Sequence, residues 1–238
     1  MPIPDKIANM QIDFGSSSSD FTANTSWRSD YSKSYYFLKG YATAKRYYNM
    51  QKSLVLAQQF HDGQKRKGGA DYLVHPLRVC TYLVSLNFDD DVLLSAALLH
   101  DVIEDNDLLK DDPNILVDVY KIDEEVLRVV QTVTKQKGLD EERTIRYFDG
   151  IKRNWRALLV KISDRVNNVS TMAVFTPEKR QEYIDETRRF VIPLCSYGKL
   201  YYPELSNALT AMKYHITSIC DSIEYMNKWL SPWILKWT

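Results

Sequence analysis

The 238-residue sequence is poor in cysteine, and its three cysteines, Cys80, Cys195 and Cys220, form no CxxC pair. A set this sparse and odd in number argues against a disulfide framework and a cysteine-based zinc site, and a reducing cytoplasm is its simplest setting. A long hydrophobic run is also missing, because the longest, 92–99, is interrupted by Ser95 and a bilayer span needs roughly 20 residues. We therefore expect no membrane association.

An excess of charge of one sign is absent as well. Lys plus Arg number 31 and Asp plus Glu number 31, so we expect no nucleic-acid polymer as a partner. The first residues lack the basic, apolar and small-residue pattern of a signal peptide, so export is not expected. The length and the 45% hydrophobic content are those of an ordinary globular chain with one domain.

Periodicity divides the chain at about residue 30. Residues 1–30 include four consecutive serines and no sustained period, and we interpret them as a flexible arm. Residues 31–238 carry the 3.6-residue apolar rhythm of helices without period-two alternation, which predicts one compact all-α domain with a C-terminal helical extension. The predicted helices are 31–50 running into 51–65, 75–86, 90–104, 112–120, 123–135, 140–153, 156–173, 178–193 and 203–230.

The most informative segment follows an apolar helix and contains His100, Asp101, Glu104 and Asp105. On a continuous helix these four groups would share one side. Burying them would cost several kcal/mol per charge unless a cation or mutual pairing compensates, and a divalent metal is the interpretation that we favour. The alternative is a frayed helix end whose acids are solvated. Further acids nearby, such as Asp111, are expected to be solvated surface.

Two other segments could complete such a site. His75 precedes Pro76 at an expected loop-to-helix junction, where its imidazole could project into a cleft. Asp164 and Asn168 lie four residues apart on an otherwise apolar helix, which suits one metal ligand and one substrate or outer contact. The alternative for this pair is an exposed polar face.

A basic turn, Lys65-Arg66-Lys67-Gly68-Gly69, precedes His75. The glycines allow close backbone approach, and the cations could hold phosphates or lie flat on a base. Basic residues before a glycine turn are also common at helix C-termini, so this pattern alone is weak evidence. His61 could lie near the site or serve helix packing.

As an ordered set, HDGQKRKGGADYLVHP, AALLHDVIED and KISDRVNNVST resemble the hydrolase domain of the RelA/SpoT homologue family, within the HD-domain metal-dependent phosphohydrolases. The resemblance runs from about residue 53 to residue 173, and ETRRFVIPLCSYG is similar to the family's next helices. It implies a helical HD-domain fold and a small alarmone hydrolase that removes pyrophosphate from the 3′ position of ppGpp and pppGpp.

The resemblance also implies a Mn²⁺ cofactor and roles for individual residues. Glu104 and Asp105 would position and activate water. The implied metal ligands are His75, His100, Asp101 and Asp164. The implied substrate-binding residues are Arg66, Lys67, Tyr72, Lys161, Asn168 and Thr171.

Two departures from the family pattern leave alternatives open. Ala70-Asp71 replaces the usual Glu-Pro, which puts strict guanine preference in doubt, and Asn167 replaces a frequent His that is expected beside the site. Adenine alarmones of the (p)ppApp type or NADPH are therefore alternative substrates. A nucleotide-binding or antitoxin-like module without turnover is the non-enzymatic alternative, and a second copy of the chain remains a candidate partner in the cytoplasm.

Overall fold

The computed structural model describes the backbone of residues 26–234 and the side chains of residues 31–228. The predicted arm therefore lies outside the described residues, except for its last five, which begin the first helix. In chain order the helices are α1 (Ser26–Lys45), α2 (Tyr48–Phe60), α3 (Val74–Ser85), α4 (Asp91–Leu99), α5 (Val102–Asp105), α6 (Asp107–Asp111), α7 (Ile115–Asp118), α8 (Glu124–Val133), α9 (Glu141–Lys152), α10 (Trp155–Thr171), α11 (Pro177–Glu186), α12 (Ile192–Tyr201) and α13 (Ser206–Ile234).

The prediction of a single all-α domain is confirmed, since residues 26–234 contain helices and one isolated bridge but no strand. None of the helices in this range is long and apolar enough to cross a membrane. Short 3₁₀ turns occupy Met172–Val174 and Pro203–Leu205, and a π turn occupies Thr187–Val191.

Helix α4 forms the centre of the fold. Every residue from Leu93 to Leu99 is buried, because this helix is apolar on all sides and can be stable only when enclosed. It packs against α2, α3, α8 and α10, and α3 also packs against α10. Helices α3 and α10, which carry predicted site residues, therefore meet each other and α4, whose C-terminal end leads into the turn with His100 and Asp101.

Several predicted helix boundaries were wrong. The predicted helix 31–50 ends at Lys45, because Arg46 adopts a left-handed backbone with φ 58° that an α-helix cannot include. The predicted helix 90–104 is interrupted at His100 and Asp101, which form a turn between α4 and α5. The predicted helix 112–120 shortens to the four residues of α7.

Helices α11 and α12 form one nearly continuous rod in which the predicted helix 178–193 is extended to Tyr201. The π turn between them precedes Pro193, which has no N–H to donate to the preceding turn. Helix α12 lies very close to α13 at Gly198, where a Cβ atom would stand 2.6 Å from Cδ1 of Leu209. This glycine therefore permits the close approach of the two helices.

Candidate active site

Four predicted site residues converge on one point. His75 lies at the start of α3, His100 and Asp101 lie in the turn after α4, and Asp164 lies within α10. The Nε2 atom of His75 is 3.1 Å from Nε2 of His100, 3.3 Å from Oδ2 of Asp101 and 3.2 Å from Oδ1 of Asp164. The Nε2 atom of His100 is 3.2 Å from Oδ2 of Asp101 and 3.8 Å from Oδ1 of Asp164.

Hydrogen bonds orient both imidazole rings. Nδ1 of His100 lies 2.8 Å from the carbonyl oxygen of Ala97, which can only accept, so this nitrogen carries the proton. Nδ1 of His75 lies 2.7 Å from Oδ1 of Asn167 and donates in the same way. In the neutral rings both Nε2 atoms therefore present lone pairs toward the two carboxylates.

Such a convergence of acceptors fits a cation. Two ligand atoms at about 2.1 Å from one ion and at right angles to each other are about 3 Å apart, which is close to the separations found here. His75, His100 and Asp101 together could hold a metal ion, and Asp164 adds a second carboxylate oxygen on the same side of His75. The residues present therefore fit a divalent metal with nitrogen and oxygen ligands.

The buried ionisable groups of this cluster shift one another's pKa values. Burial alone would raise the pKa of both Asp101 and Asp164, but the charge of a protonated His100 beside Asp101 and of Lys161 beside Asp164 holds these pKa values well below the usual range. Burial acts against a charged His100, yet Asp101 and Asp164 raise the pKa of His100 well above its usual value. The cluster thus has a strong preference for positive charge at its centre.

Tyr72 links this cluster to the basic turn. Its hydroxyl donates to Oδ2 of Asp101 at 2.7 Å, and burial together with the adjacent Asp101 raises its pKa, so the hydroxyl remains a donor. The ring of Tyr72 packs on His61, with 4.7 Å between ring centroids, and the Arg66 guanidinium lies 5.6 Å from the Tyr72 centroid. His61 is therefore buried beside the site.

The two acids after the cluster have elevated pKa values. Burial is the main cause for both Glu104 and Asp105, and the Asp101 carboxylate adds to it. The backbone N–H of Lys135 donates to Oε1 of Glu104 at 2.5 Å. These two carboxyl groups therefore lie next to the cluster with proton affinities above those of ordinary surface acids.

Polar side chains of α10 connect the cluster to the substrate residues implied by the resemblance. Nδ2 of Asn168 donates to Oδ1 of Asp164, and Oδ1 of Asn168 accepts from Nη2 of Arg66 at 2.7 Å. The Lys161 ammonium donates to Oδ2 of Asp164 at 3.2 Å, so its positive charge lies behind the cluster. Thr171 donates to the carbonyl oxygens of its own helix at Asn167 and Asn168.

A cavity of about 480 Å³ opens beside His75. This volume is in the range typical of small-molecule sites. Five of the six implied substrate residues line the cavity, namely Arg66, Lys67, Tyr72, Asn168 and Thr171. Lys67 lies 4.9 Å from the ring centroid of Phe175, which also lines the cavity and which the sequence reasoning missed.

A second cleft of about 660 Å³ lies beside Glu104. Its lining includes Lys135, Lys137, Arg189 and several acids. The contribution of Lys135 was missed because its backbone N–H, which any residue but proline would supply, makes the contact with Glu104.

A helical fold that brings two histidines and two aspartates together beside a ligand-sized cavity has the arrangement expected of an HD-type protein with a candidate metal site. The HD domain family model matches residues 53–195, and the chain belongs to this family. An HD domain implies dependence on a divalent metal, and the cluster supplies donors that could hold one.

Comparisons with named relatives confirm the resemblance to the RelA/SpoT homologue family. The chain is 34% identical over 150 residues to a guanosine-3′,5′-bis(diphosphate) 3′-pyrophosphohydrolase of Aquifex aeolicus, covering 61% of this chain and 21% of the relative. It is 31% identical over 162 residues to the protein of that name from Vibrio cholerae, covering 65% of this chain and 22% of the relative. The chain thus spans about a fifth of the length of these curated relatives.

A solved structure supports the fold. It is described as a metazoan ortholog of SpoT that hydrolyzes ppGpp, and it matches with a TM-score of 0.54 and 23% sequence identity. The match covers 84% of this chain and 97% of the other chain. At this level of identity the similarity establishes a shared helical architecture.

Proposed function

We propose that this chain hydrolyses the 3′-pyrophosphate of ppGpp and pppGpp to give pyrophosphate and GDP or GTP, with Mn²⁺ as its cofactor. The observation that carries the proposal is the convergence of His75, His100, Asp101 and Asp164 beside a cavity with basic and aromatic walls. Two relatives at 34% and 31% identity are named guanosine-3′,5′-bis(diphosphate) 3′-pyrophosphohydrolases, which supports the same substrate.

The four converging residues would hold the metal. Two imidazoles and two carboxylates form a mixed ligand set that suits Mn²⁺, although affinity alone would rank Zn²⁺ higher. When bound, such an ion lowers the pKa of water toward neutrality and offsets charge on phosphoryl oxygens. Asn167 and the Ala97 carbonyl keep the ligand nitrogens of the two histidines aimed at the centre.

Glu104 and Asp105 would position the attacking water and accept its proton. Their raised pKa values bring them closer to the working pH, where a carboxylate is a better proton acceptor than an ordinary surface acid. The Lys135 N–H holds one oxygen of Glu104 and leaves the other for water. The water oxygen would form the new bond to phosphorus as the bond from phosphorus to O3′ breaks, and O3′ would take up the proton that the carboxylate accepted from the water.

The cavity residues would hold the nucleotide. Arg66 and Lys67 lie where a guanidinium or ammonium can meet the base, and Tyr72 and Phe175 add ring faces. Asn168 and Thr171 also line the cavity, and Asn168 contacts Asp164 of the cluster, so these two residues would meet ribose and phosphate oxygens. Lys161 would act indirectly, by balancing the charge of Asp164 while phosphates approach.

A cytoplasmic setting and a small-molecule nucleotide partner belong to this proposal. All three cysteines are buried free thiols, which suits a reducing compartment. A polymeric nucleic acid is not expected as a partner, since the net formal charge is +0. A homo-oligomer remains a candidate assembly.

The proposal is tested by incubating purified protein with Mn²⁺ and, separately, ppGpp, pppGpp, ppApp and NADPH. We expect pyrophosphate release from ppGpp and pppGpp, and loss of it in Asp101→Ala and Asp164→Ala without unfolding. Asp111→Ala, which changes an exposed acid nearby, is the matched control and should keep full activity. Turnover of ppApp or NADPH alone would identify that compound as the substrate in place of ppGpp and pppGpp. Tight nucleotide binding without any product would indicate a binding module instead.

A further inference from the structure

Arg165 follows Asp164 directly on α10, yet it contacts a different part of the fold. Its side chain is 3% exposed, and its Nη2 atom donates to Oε1 of Glu186 at 2.7 Å. Its Nη1 atom donates to Oγ1 of Thr187 at 3.0 Å, and the guanidinium lies 4.1 Å from the centroid of the Tyr183 ring. A buried guanidinium with these contacts holds the C-terminal end of α11 in a defined position.

Glu186 also contacts Lys135. The same oxygen, Oε1 of Glu186, accepts from Nζ of Lys135 at 3.2 Å. Burial alone would raise the pKa of Glu186, but the charges of Arg165 and Lys135 lower it, so Glu186 stays ionised. Lys135 follows the C-cap of α8, and its backbone N–H is the donor that holds Glu104.

A continuous set of contacts therefore runs from the buried Arg165 to Glu104. Its members come from α10, α11, the residues after α8, and α5, so no single local element produces it. Glu186 lies directly before the π turn Thr187–Val191, and a turn of this kind inside a helix often marks a functional site. Glu186 and Thr187 are adjacent in sequence and both contact the same guanidinium.

We propose that Glu186, anchored by Arg165, is a positioning residue for Glu104, because it fixes Lys135 and thereby the N–H that orients the Glu104 carboxylate. This inference rests on the proposed function, in which Glu104 positions the attacking water. Glu186 does not line the first cavity, and it lines the second cleft together with Glu104 and Lys135. Since Glu186 is not among the residues assigned to the metal or to the nucleotide, its expected effect on the reaction is through the geometry of Glu104.

The first test compares Glu186→Gln with wild-type protein in Mn²⁺-dependent pyrophosphate release from ppGpp. We expect kcat to fall by about 10-fold to 10²-fold, since small misplacement of a reacting group has effects of this size. KM and the affinity for Mn²⁺ should stay within about twofold, because Glu186 lies outside the binding groups. Lys135→Met, which leaves the Arg165 and Glu186 pair intact, should lower kcat in the same way even if Glu186→Gln destabilises the fold.

The second test asks whether Glu186 acts through Glu104. In a Glu104→Gln background, Glu186→Gln should produce no further loss of kcat, because the group that it positions has already been disabled. Independently of activity, the Lys135 amide should exchange its proton with solvent at least about 10-fold faster in Glu186→Gln than in wild type. Glu224→Gln is the matched control, since Glu224 pairs with Arg188 of the same π turn on the exposed side.

The outcomes separate the two proposals. Wild-type kcat in Glu186→Gln and Lys135→Met, or multiplicative losses with Glu104→Gln, would overturn the positioning role while leaving the hydrolase intact. An equal loss of kcat in Glu224→Gln would also overturn the positioning role, because weakening any contact of the rod formed by α11 and α12 would then have the same effect. Absence of turnover by the wild type would overturn the proposed function, and the role of Glu186 with it.

Discussion

Nδ1 of His75 donates a hydrogen bond to Oδ1 of Asn167 at 2.7 Å, across 92 positions of sequence. This bond fixes the tautomer of a histidine that faces the candidate metal site, because the opposite nitrogen must then carry the lone pair. It also joins α3 to α10 at the point where each contributes a side chain to the candidate metal site. Asn167 therefore has a role in the site even though it does not face its centre.

Replacing Asn167 by leucine should weaken metal binding. The imidazole of His75 would lose the acceptor that orients it, and losing such a partner costs about 10-fold to 100-fold in metal affinity. Isothermal titration with Mn²⁺ measures the effect. Ser170→Ala, three residues along the same helix, is the control, because its hydroxyl bonds only to the carbonyl of Val166. Equal affinity in Asn167→Leu and wild type would contradict the assignment.

Replacing Glu104 by glutamine should separate metal binding from turnover. The glutamine Oε1 can still accept from the Lys135 N–H, so the local structure is preserved. The side chain can no longer accept a proton, and we expect kcat to fall by about 10² or more. Steady-state kinetics together with Mn²⁺ titration provide the measurement. A collapse of metal affinity with Glu104→Gln would instead make Glu104 a ligand.

Two glycine substitutions should change stability in opposite directions. In Gly198→Ala the new Cβ would collide with the buried Leu209, and overpacking of this kind costs about 1–3 kcal/mol. In Gly150→Ala the Cβ meets nothing within 4 Å on an exposed helical position, and stability should rise by about 0.5–1 kcal/mol. Urea unfolding monitored by circular dichroism gives both values. A neutral Gly198→Ala would mean that the rod moves away from α13 at little cost.

Arg156→Met should lower stability in a pH-dependent way. Nε and Nη2 of Arg156 each donate to Asp90 at 2.8 Å, and Asp90 also caps α4 by accepting from the N–H of Leu93. Charge-assisted bonds of this kind contribute about 1.5–3 kcal/mol. Burial opposes a charged Asp90, but the bonds from Arg156 prevail and lower the pKa of Asp90 below its usual value.

The sign of the pH dependence follows from that shift. A carboxyl group with a lower pKa in the folded chain stabilises the protein above its unfolded pKa, and this contribution is lost as the pH falls through the folded pKa. The difference in unfolding free energy between wild type and Arg156→Met should therefore be greatest above pH 4 or so and should shrink in more acidic solution. If the difference in unfolding free energy grows as the pH falls, Asp90 is not the group responsible.

The helical class and the location of the candidate site could be predicted because apolar periodicity and ordered motifs are local features of the sequence. His75, His100, Asp101 and Asp164 each stood out by residue type and neighbours, and the structure brings them together. The interruption of the helix at His100 could not be predicted, since its apolar pattern continues through Val102 and Ile103.

Contacts made by the backbone or by long-range pairs left no signal in the sequence. The Lys135 N–H that holds Glu104 is common to nearly all residue types, and the pair formed by Arg165 and Glu186 joins positions 21 apart. The break at Arg46 was missed for a similar reason, because a left-handed backbone is unusual for arginine and no glycine marks it. These features depend on tertiary packing.

The four converging donors belong to three stretches of chain, and the two histidines alone are 25 positions apart. An ion held by all of them would join these stretches much as a covalent cross-link does, so occupancy and resistance to unfolding would be thermodynamically linked. At a hundredfold excess over its dissociation constant, a ligand that binds only the native chain adds about 2.7 kcal/mol to stability. Scarcity of the metal in a cell would thus reduce the abundance of the folded protein as well as its catalysis.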